Sequence, residues 1–251
     1  MRRWLLPTLV LAALVGAWQV AASTGAIADA LNLEPFLVPS PAEIATALWE
    51  NRGLLADNAW VTLQEILLGF LCALLAGLGF AFALHSSETL RRALYPLLIA
   101  SQTIPILVIA PILVTWFGFG IGPKLVIVAL VCFFPIVVNT LDGLRSVDSE
   151  AIKMMRTLDA SRWQIFKRVE IPTALPYTFS GAKIAVAVAV IAAVFAEWSG
   201  SEAGGLGYMI FQDNARLETA REFAAVAVLS AIAIGLFGLL ALAERRIVNW
   251  R

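Results

Sequence analysis

Six long apolar runs dominate this chain, at about residues 4–24, 59–84, 93–117, 123–141, 180–198 and 222–243. A helix rising about 1.5 Å per residue needs about 20 apolar residues to cross about 30 Å of hydrocarbon. Each run is close to that length. Lipid offers no partner to a backbone N–H or C=O, so a spanning run satisfies these groups within itself, as helix. The expected fold is all-α, a polytopic membrane protein with about six transmembrane helices. Composition agrees, since 60% of the 251 residues are hydrophobic and 14% charged, against about 25% charged in soluble domains. The formal net charge is zero, which argues against a nucleic-acid partner, because binding one needs a basic face. Cys72 and Cys132 sit inside apolar runs and read as small buried hydrophobes. One histidine, His85, makes no metal cluster alone, so no metal site is expected.

The N-terminal MRRWLLPTLVLAALVGAWQVAAS is read as an uncleaved span in preference to a signal peptide. Its apolar run suits a bilayer better than a signal core does. The basic residues then orient the chain. With both termini in the cytoplasm, thirteen of the eighteen Lys and Arg lie inside. Arg52, Lys124, Arg216 and Arg221 lie outside, and Lys183 lies at a span edge. In this reading residues 1–58 are a first span plus an outer segment. Residues 59–251 are a core holding a cytoplasmic loop, 142–180, between spans four and five. Within the outer segment, Ser40 caps and Pro41 starts a short surface helix, with Trp49 and Trp60 at headgroup depth.

The third run carries Pro96, Pro105 and Pro111, each of which removes a helix hydrogen bond. Ser101, Gln102 and Thr103 gather polar groups just before Pro105. Such backbone at membrane depth belongs beside a cavity or inside protein. It is read either as a pathway wall or as a kinked structural helix. Glu65 and Glu197 are carboxylates in or near spans. Glu197, beside Trp198, is either part of a gate or an interfacial group in contact with water. Gly204, Gly205 and Gly207 after it allow a tight turn.

The loop packs Arg145, Lys153, Arg156, Arg162, Lys167 and Arg168 into under forty residues. Asp148-Ser149-Glu150 reads as a helix start, with Ile152, Met155 and Leu158 on one face. A second short helix carries Trp163, Phe166 and Val169 on one face and is stopped by Pro172. Two amphipathic helices of this kind cannot bury their faces alone and fit a partner's groove; the alternative is a loop held on the membrane by its charges.

Residues 156–172, RTLDASRWQIFKRVEIP, resemble the "EAA loop" of the membrane permeases of ABC importers. The likeness is closest to the branch for sulfonates, taurine, nitrate and thiamine-precursor pyrimidines. Matches continue in order along the chain: Val38-Pro39-Ser40-Pro41, Leu68-Gly69-Phe70, Ala110-Pro111, Trp116-Phe117-Gly118, Phe133-Phe134-Pro135 with Asn139-Thr140, and Glu197 with Gly205-Leu206-Gly207-Tyr208. The triplet Glu-Ala-Ala itself is replaced by Lys153-Met154-Met155. The family's turn glycine is Asp159, a residue that tolerates positive φ.

The resemblance implies a type I importer permease in a bacterial inner membrane, working as a homodimer. Two ATP-binding subunits would dock at the loops and a solute-binding protein outside. The chain has no GxxxxGK[ST] phosphate loop, so it is expected not to be an enzyme, with ATP and Mg held by the partner. The docking residues implied are Leu158, Asp159 and Ala160 at the turn, and Ser161, Arg162, Trp163, Ile165, Phe166 and Val169 beyond it. Ile171 and Pro172 complete the set. The pathway candidates are Ser101, Gln102, Thr103, Pro105, Asn139, Glu197 and Trp198. The wording SQTIPILVIAP and Ile121-Gly122-Pro123-Lys124 looks most like permeases for thiamine-precursor pyrimidines or riboflavin, with sulfonate, taurine and nitrate open. A self-contained secondary transporter is the alternative class, for which only Glu65 and Glu197 are ion-ligand candidates.

Overall fold

Apolar length becomes helix throughout the computed structural model, which describes residues 2–200 and 204–250; every regular element in them is helical. Five helices are long and apolar enough to cross a membrane, over Leu5–Ser23, Arg52–Ser86, Ile121–Arg145, Arg162–Trp198 and Thr219–Ile247. The expected third span is instead two short helices, α5 (Glu88–Ser101) and α6 (Ile106–Phe117). Between them Gln102, Thr103 and Ile104 donate to carbonyls three residues back, at 3.1, 3.1 and 3.5 Å. Pro105 follows with ψ 126, outside the helical region. A proline has no N–H to continue the ladder and crowds the preceding turn, so the helix tightens and stops. Residues 201–203 of the glycine-rich turn, and Arg251 of the basic count, lie outside the described residues.

Contacts divide the chain into two units, 1–61 with 204–231, and 62–203 with 232–251. In the first, α1 (Arg2–Ser23) is followed by α2 (Ala26–Leu31) and α3 (Pro41–Glu50). Ser40 caps α3 as expected. Its hydroxyl accepts from the Glu43 N–H, and the Glu43 carboxylate accepts from the Ser40 N–H at 2.7 Å. Gln19 Oε1 on α1 accepts from the Ala42 N–H at 2.9 Å, fixing the start of α3 to the first span. α4 (Arg52–Ser86) begins here, and Asn58 accepts from the Gly205 N–H at 2.8 Å, just before α11 (Leu206–Arg216). Asp213 of α11 takes both Nε and Nη2 of Arg221, at 3.0 and 2.5 Å, near the start of α12 (Thr219–Ile247). Trp49 and Trp60 are exposed.

In the second unit α7 (Ile121–Arg145) packs along α10 (Ile171–Trp198). Between membrane helices lipid is as apolar as leucine, so close fit replaces the hydrophobic drive. A Cβ on Gly181 of α10 would stand 2.6 Å from the Pro135 carbonyl oxygen of α7. One on Gly69 of α4 would stand 2.6 Å from Val128 Cβ of α7. Only glycine admits α7 at both distances. Lys183, expected at a span edge, lies within α10 and pairs with Glu244 of α12.

Gly181→Ala is expected to destabilise the chain by about 1–3 kcal/mol through overpacking, while Gly79→Ala, with open space at its Cβ, leaves stability unchanged. Thermal unfolding of the purified variants in detergent checks this. Equal midpoints would mean that α7 and α10 are not in backbone contact.

Candidate functional site

The loop after α7 forms a capped elbow. α8 (Ser149–Thr157) starts at Asp148, whose carboxylate accepts from the Glu150 N–H at 2.9 Å. It ends in a Schellman turn: Asp159 N–H donates to the Arg156 carbonyl at 3.0 Å and Ala160 N–H to the Met155 carbonyl at 3.1 Å. Asp159 has φ 57, the left-handed conformation expected at this turn. Ser161 then caps α9 (Arg162–Ile165), accepting from the Gln164 N–H at 3.3 Å while Gln164 accepts from the Ser161 N–H at 2.7 Å. Pro172 does not stop this helix. A π turn over Phe166–Glu170, with Ile171 N–H donating to the Phe166 carbonyl, carries the chain from α9 straight into α10. A regular turn would press the Pro172 ring against the carbonyl four residues earlier, and the wider turn relieves that contact.

The elbow has a buried base and an apolar outer face. Ile165 is buried, and Phe166 meets Phe82 of α4 edge-on at 5.5 Å and lies 6.3 Å from the His85 ring. His85 Nε2 lies 2.9 Å from Glu170 Oε2. Met154, Leu158 and Trp163 are 61, 70 and 66% exposed, the Trp163 ring lying 5.7 Å from that of Phe166. Leu158, placed on the apolar face of α8 by its spacing, therefore points outward, because the Schellman turn lifts it off the helix. Val169, Ile171 and Pro172 are half-buried and Arg162 is exposed. The sequence reading did not single out His85 and Glu170 as partners; they are 85 residues apart.

The pathway candidates fall in three places. Ser101, Gln102 and Pro105 line one cavity of about 350 Å³ with Ile106, Ile109 and Leu130. Thr103 is exposed and donates to the Ala100 carbonyl at 2.7 Å, as Ser101 does to the Leu98 carbonyl at 2.7 Å. Both hydroxyls serve their own helix, while the Gln102 amide has no backbone role. Asn139 lies apart, on α7 beside Gly181, donating to the Pro135 carbonyl at 2.8 Å. Trp198 is 42% exposed and packs edge-on against Phe195.

Glu197 belongs to a group that no spacing announced. It is fully buried, out of contact with water, and accepts from the Thr62 hydroxyl at 2.7 Å. Beside it Lys124 Nζ donates to Glu65 Oε1 at 2.6 Å, both side chains 1% exposed. Lys124, expected in an outer loop, is thus the buried start of α7. Charges of this kind persist in a bilayer only where protein shields them. Glu65 Oε2 is buried with no hydrogen bond. Among the described residues no group of three His, Cys, Asp or Glu is placed to hold a metal ion.

A profile of the family described as binding-protein-dependent transport system inner membrane component matches residues 66–249. The chain is 34% identical to the formylaminopyrimidine transport permease protein ThiX of Halalkalibacterium halodurans, over 98% of this chain and 95% of that protein. It is 36% identical to the riboflavin transport system permease protein RibX of Chloroflexus aurantiacus, over 86% and 81%. The fold is shared with a chain in the solved inward-facing structure of the MetNI methionine ABC transporter, with TM-score 0.65 and 22% identity, covering 79% of this chain and 96% of that one.

Breaking the buried pair by Lys124→Met is expected to cost about 3–5 kcal/mol, because the buried Glu65 loses its cation. Lys124→Met with Glu65→Leu is expected to recover most of it. The yield and thermal midpoint of the inserted protein report both. A double variant as unstable as the single would refute the pair as the cause.

Proposed function

The chain belongs to the family of binding-protein-dependent transport system inner membrane components, the permease subunits of ABC importers, and we propose that it forms, as a homodimer, the membrane pathway for a small heteroaromatic nutrient of the thiamine-precursor pyrimidine or riboflavin class. The family and the apolar helices make it a multi-pass inner-membrane protein. The observation that carries the proposal is the elbow: exposed Leu158 and Trp163 on a loop whose base is held by Ile165, Phe166 and the Glu170–His85 contact. Large exposed apolar side chains on a doubly capped, rigid turn suit a socket on another protein. In this reading the socket belongs to an ATP-binding subunit, one per loop, which also holds ATP and Mg. A solute-binding protein delivers substrate from the other side.

Both termini then lie in the cytoplasm. The count of basic residues supports this, more so now that Lys124 is a buried partner of Glu65 and no longer an outer charge. The mechanism follows from connectivity. ATP-driven approach of the two partners displaces Arg162–Val169. The π turn makes that segment continuous with α10, so the displacement passes into the membrane span without a break in the helix. The Phe166–Phe82 and Glu170–His85 contacts pass part of it to α4. The broken α5–α6 pair, with Gln102 at the cavity beside the break, is the flexible wall of the pathway. The substrate class rests on the likeness to two permeases whose names specify a pyrimidine and riboflavin.

Trp163→Ala is expected to leave insertion intact while abolishing substrate-dependent uptake and weakening retention of the ATP-binding subunit by at least tenfold, the scale of an aromatic hot spot worth about 2 kcal/mol. Unchanged uptake and partner retention would overturn the docking assignment, and uptake by the purified chain without any ATP-binding subunit would favour a secondary transporter. For the substrate, a thermal-shift screen of the cognate solute-binding protein is expected to return a formylaminopyrimidine or a flavin. A sulfonate, taurine or nitrate as sole ligand would overturn the class.

A further inference from the structure

Three arginines converge where two helices end together. Arg91, Arg92, Tyr95 and Pro96 at the start of α5 line a cavity of about 340 Å³ with Leu141, Asp142 and Arg145 at the end of α7. A space of this size suits a small ligand. Its floor is apolar: Leu141 is 1% exposed and belongs to the cluster of Ala81, Leu84, Leu98 and Val137, against which Tyr95 packs. Its rim is cationic. Glu88, one turn earlier, pairs with both Arg91 and Arg92, and these arginines hold its carboxyl below the usual range, with the Arg92 hydrogen bond the largest cause. Arg145 has no carboxylate partner among the ion pairs of the described residues. Three guanidiniums therefore face two carboxylates, Glu88 and Asp142, leaving one positive charge.

We infer that this cavity binds the headgroup of phosphatidylglycerol from the surrounding membrane. A phosphodiester supplies the single negative charge that the cavity lacks, and guanidinium forks match phosphate oxygens in pairs. Asp142, unfavourable to a bare anion, can accept from the glycerol hydroxyls. The cavity also lies at the right depth. The α4 span ends at Ser86, α5 begins at Glu88 and α7 ends at Arg145, all at one boundary of the apolar segments. From there Leu97 and Ile99 of α5 stand 63% and 50% exposed, apolar surface that acyl chains would cover. A zwitterionic lipid brings its own cation and leaves the cavity's charge unbalanced. Basic cavities at this level between membrane helices fit anionic headgroups for the same reason.

The test uses the full-length purified chain in detergent, offered phosphatidylglycerol, phosphatidylethanolamine or inorganic phosphate, with retained lipid counted by native mass spectrometry. Wild type is expected to retain phosphatidylglycerol in preference to phosphatidylethanolamine, and inorganic phosphate is expected not to displace it. Arg145→Gln is expected to lower retention about fivefold, the effect of one cation near the headgroup plane. Glu88→Gln acts in the opposite direction and guards against simple misfolding: it releases Arg91 and Arg92 and is expected to raise retention. Equal retention by wild type and Arg145→Gln, equal retention of phosphatidylethanolamine, displacement by phosphate, or lower retention in Glu88→Gln would each overturn the inference. So would loss of a coexpressed ATP-binding subunit from Arg145→Gln with lipid retention unchanged, which would make the cavity a protein contact.

Discussion

The close approach of α7 to its neighbours is the constraint on which the rest of the second unit depends. Lipid gives no hydrophobic reward for bringing two apolar helices together, so contact must come from fit and from polar pairing. Gly181 and Gly69 supply the fit, each at a place where a single added carbon would strike α7 at 2.6 Å. With α7 held this near, Lys124 at its start reaches Glu65, and Cys132 Sγ at its middle donates to the Ala185 carbonyl at 3.3 Å. At the far end of α7 are Arg145, the basic cavity and the start of the elbow. One helix thus aligns a buried ion pair, a close-packed seam and the elbow proposed to dock a partner.

In the proposed mechanism the elbow acts as a lever because it is held in two directions. Along the chain, the π turn at Phe166–Glu170 replaces the break that Pro172 would otherwise impose, so α9 runs into α10 without interruption. Across the chain, Phe166 and Glu170 hold the segment to Phe82 and His85 of α4. Caps at Asp148 and Ser161 and the left-handed Asp159 fix the two helices of the elbow to each other. Aspartate in place of glycine costs some backbone strain, yet both Schellman hydrogen bonds form. In the proposed mechanism this stiffness lets a displacement at Trp163 arrive in the membrane undiminished.

Local features were legible in the sequence. The Ser40 cap with Pro41, the start of α8 at Asp148 and the positive φ at Asp159 follow from neighbours within four residues, where propensity and capping act. The break near Pro105 was legible for the same reason, although two helices too short to span the bilayer singly were not foreseen. Misreadings came where a distant group changes the meaning of a residue. Lys124 reads as a loop charge until Glu65 stands beside it, and of the two readings of Glu197, gate or interfacial group, burial beside Thr62 removes the one in contact with water. Pro172 reads as a stop because propensity knows only the regular α turn, while packing of Phe166 against α4 stabilises a wider one.

The sequence by itself determined that this chain is helical, that it lies in a membrane and that one loop is basic and capped into two short helices, because these properties reside in apolar run length, in the density of basic residues and in short-range capping. It also carried the family motifs, in order. Only the tertiary structure decided which charges are buried together, which cavity Gln102 lines, and that Arg162–Ile165 and α10 are one continuous helix. Those outcomes depend on pairings across 59, 85 and 135 residues. No local pattern encodes such pairings, since they arise only when helices approach closely enough for side chains from different parts of the chain to share one dry space.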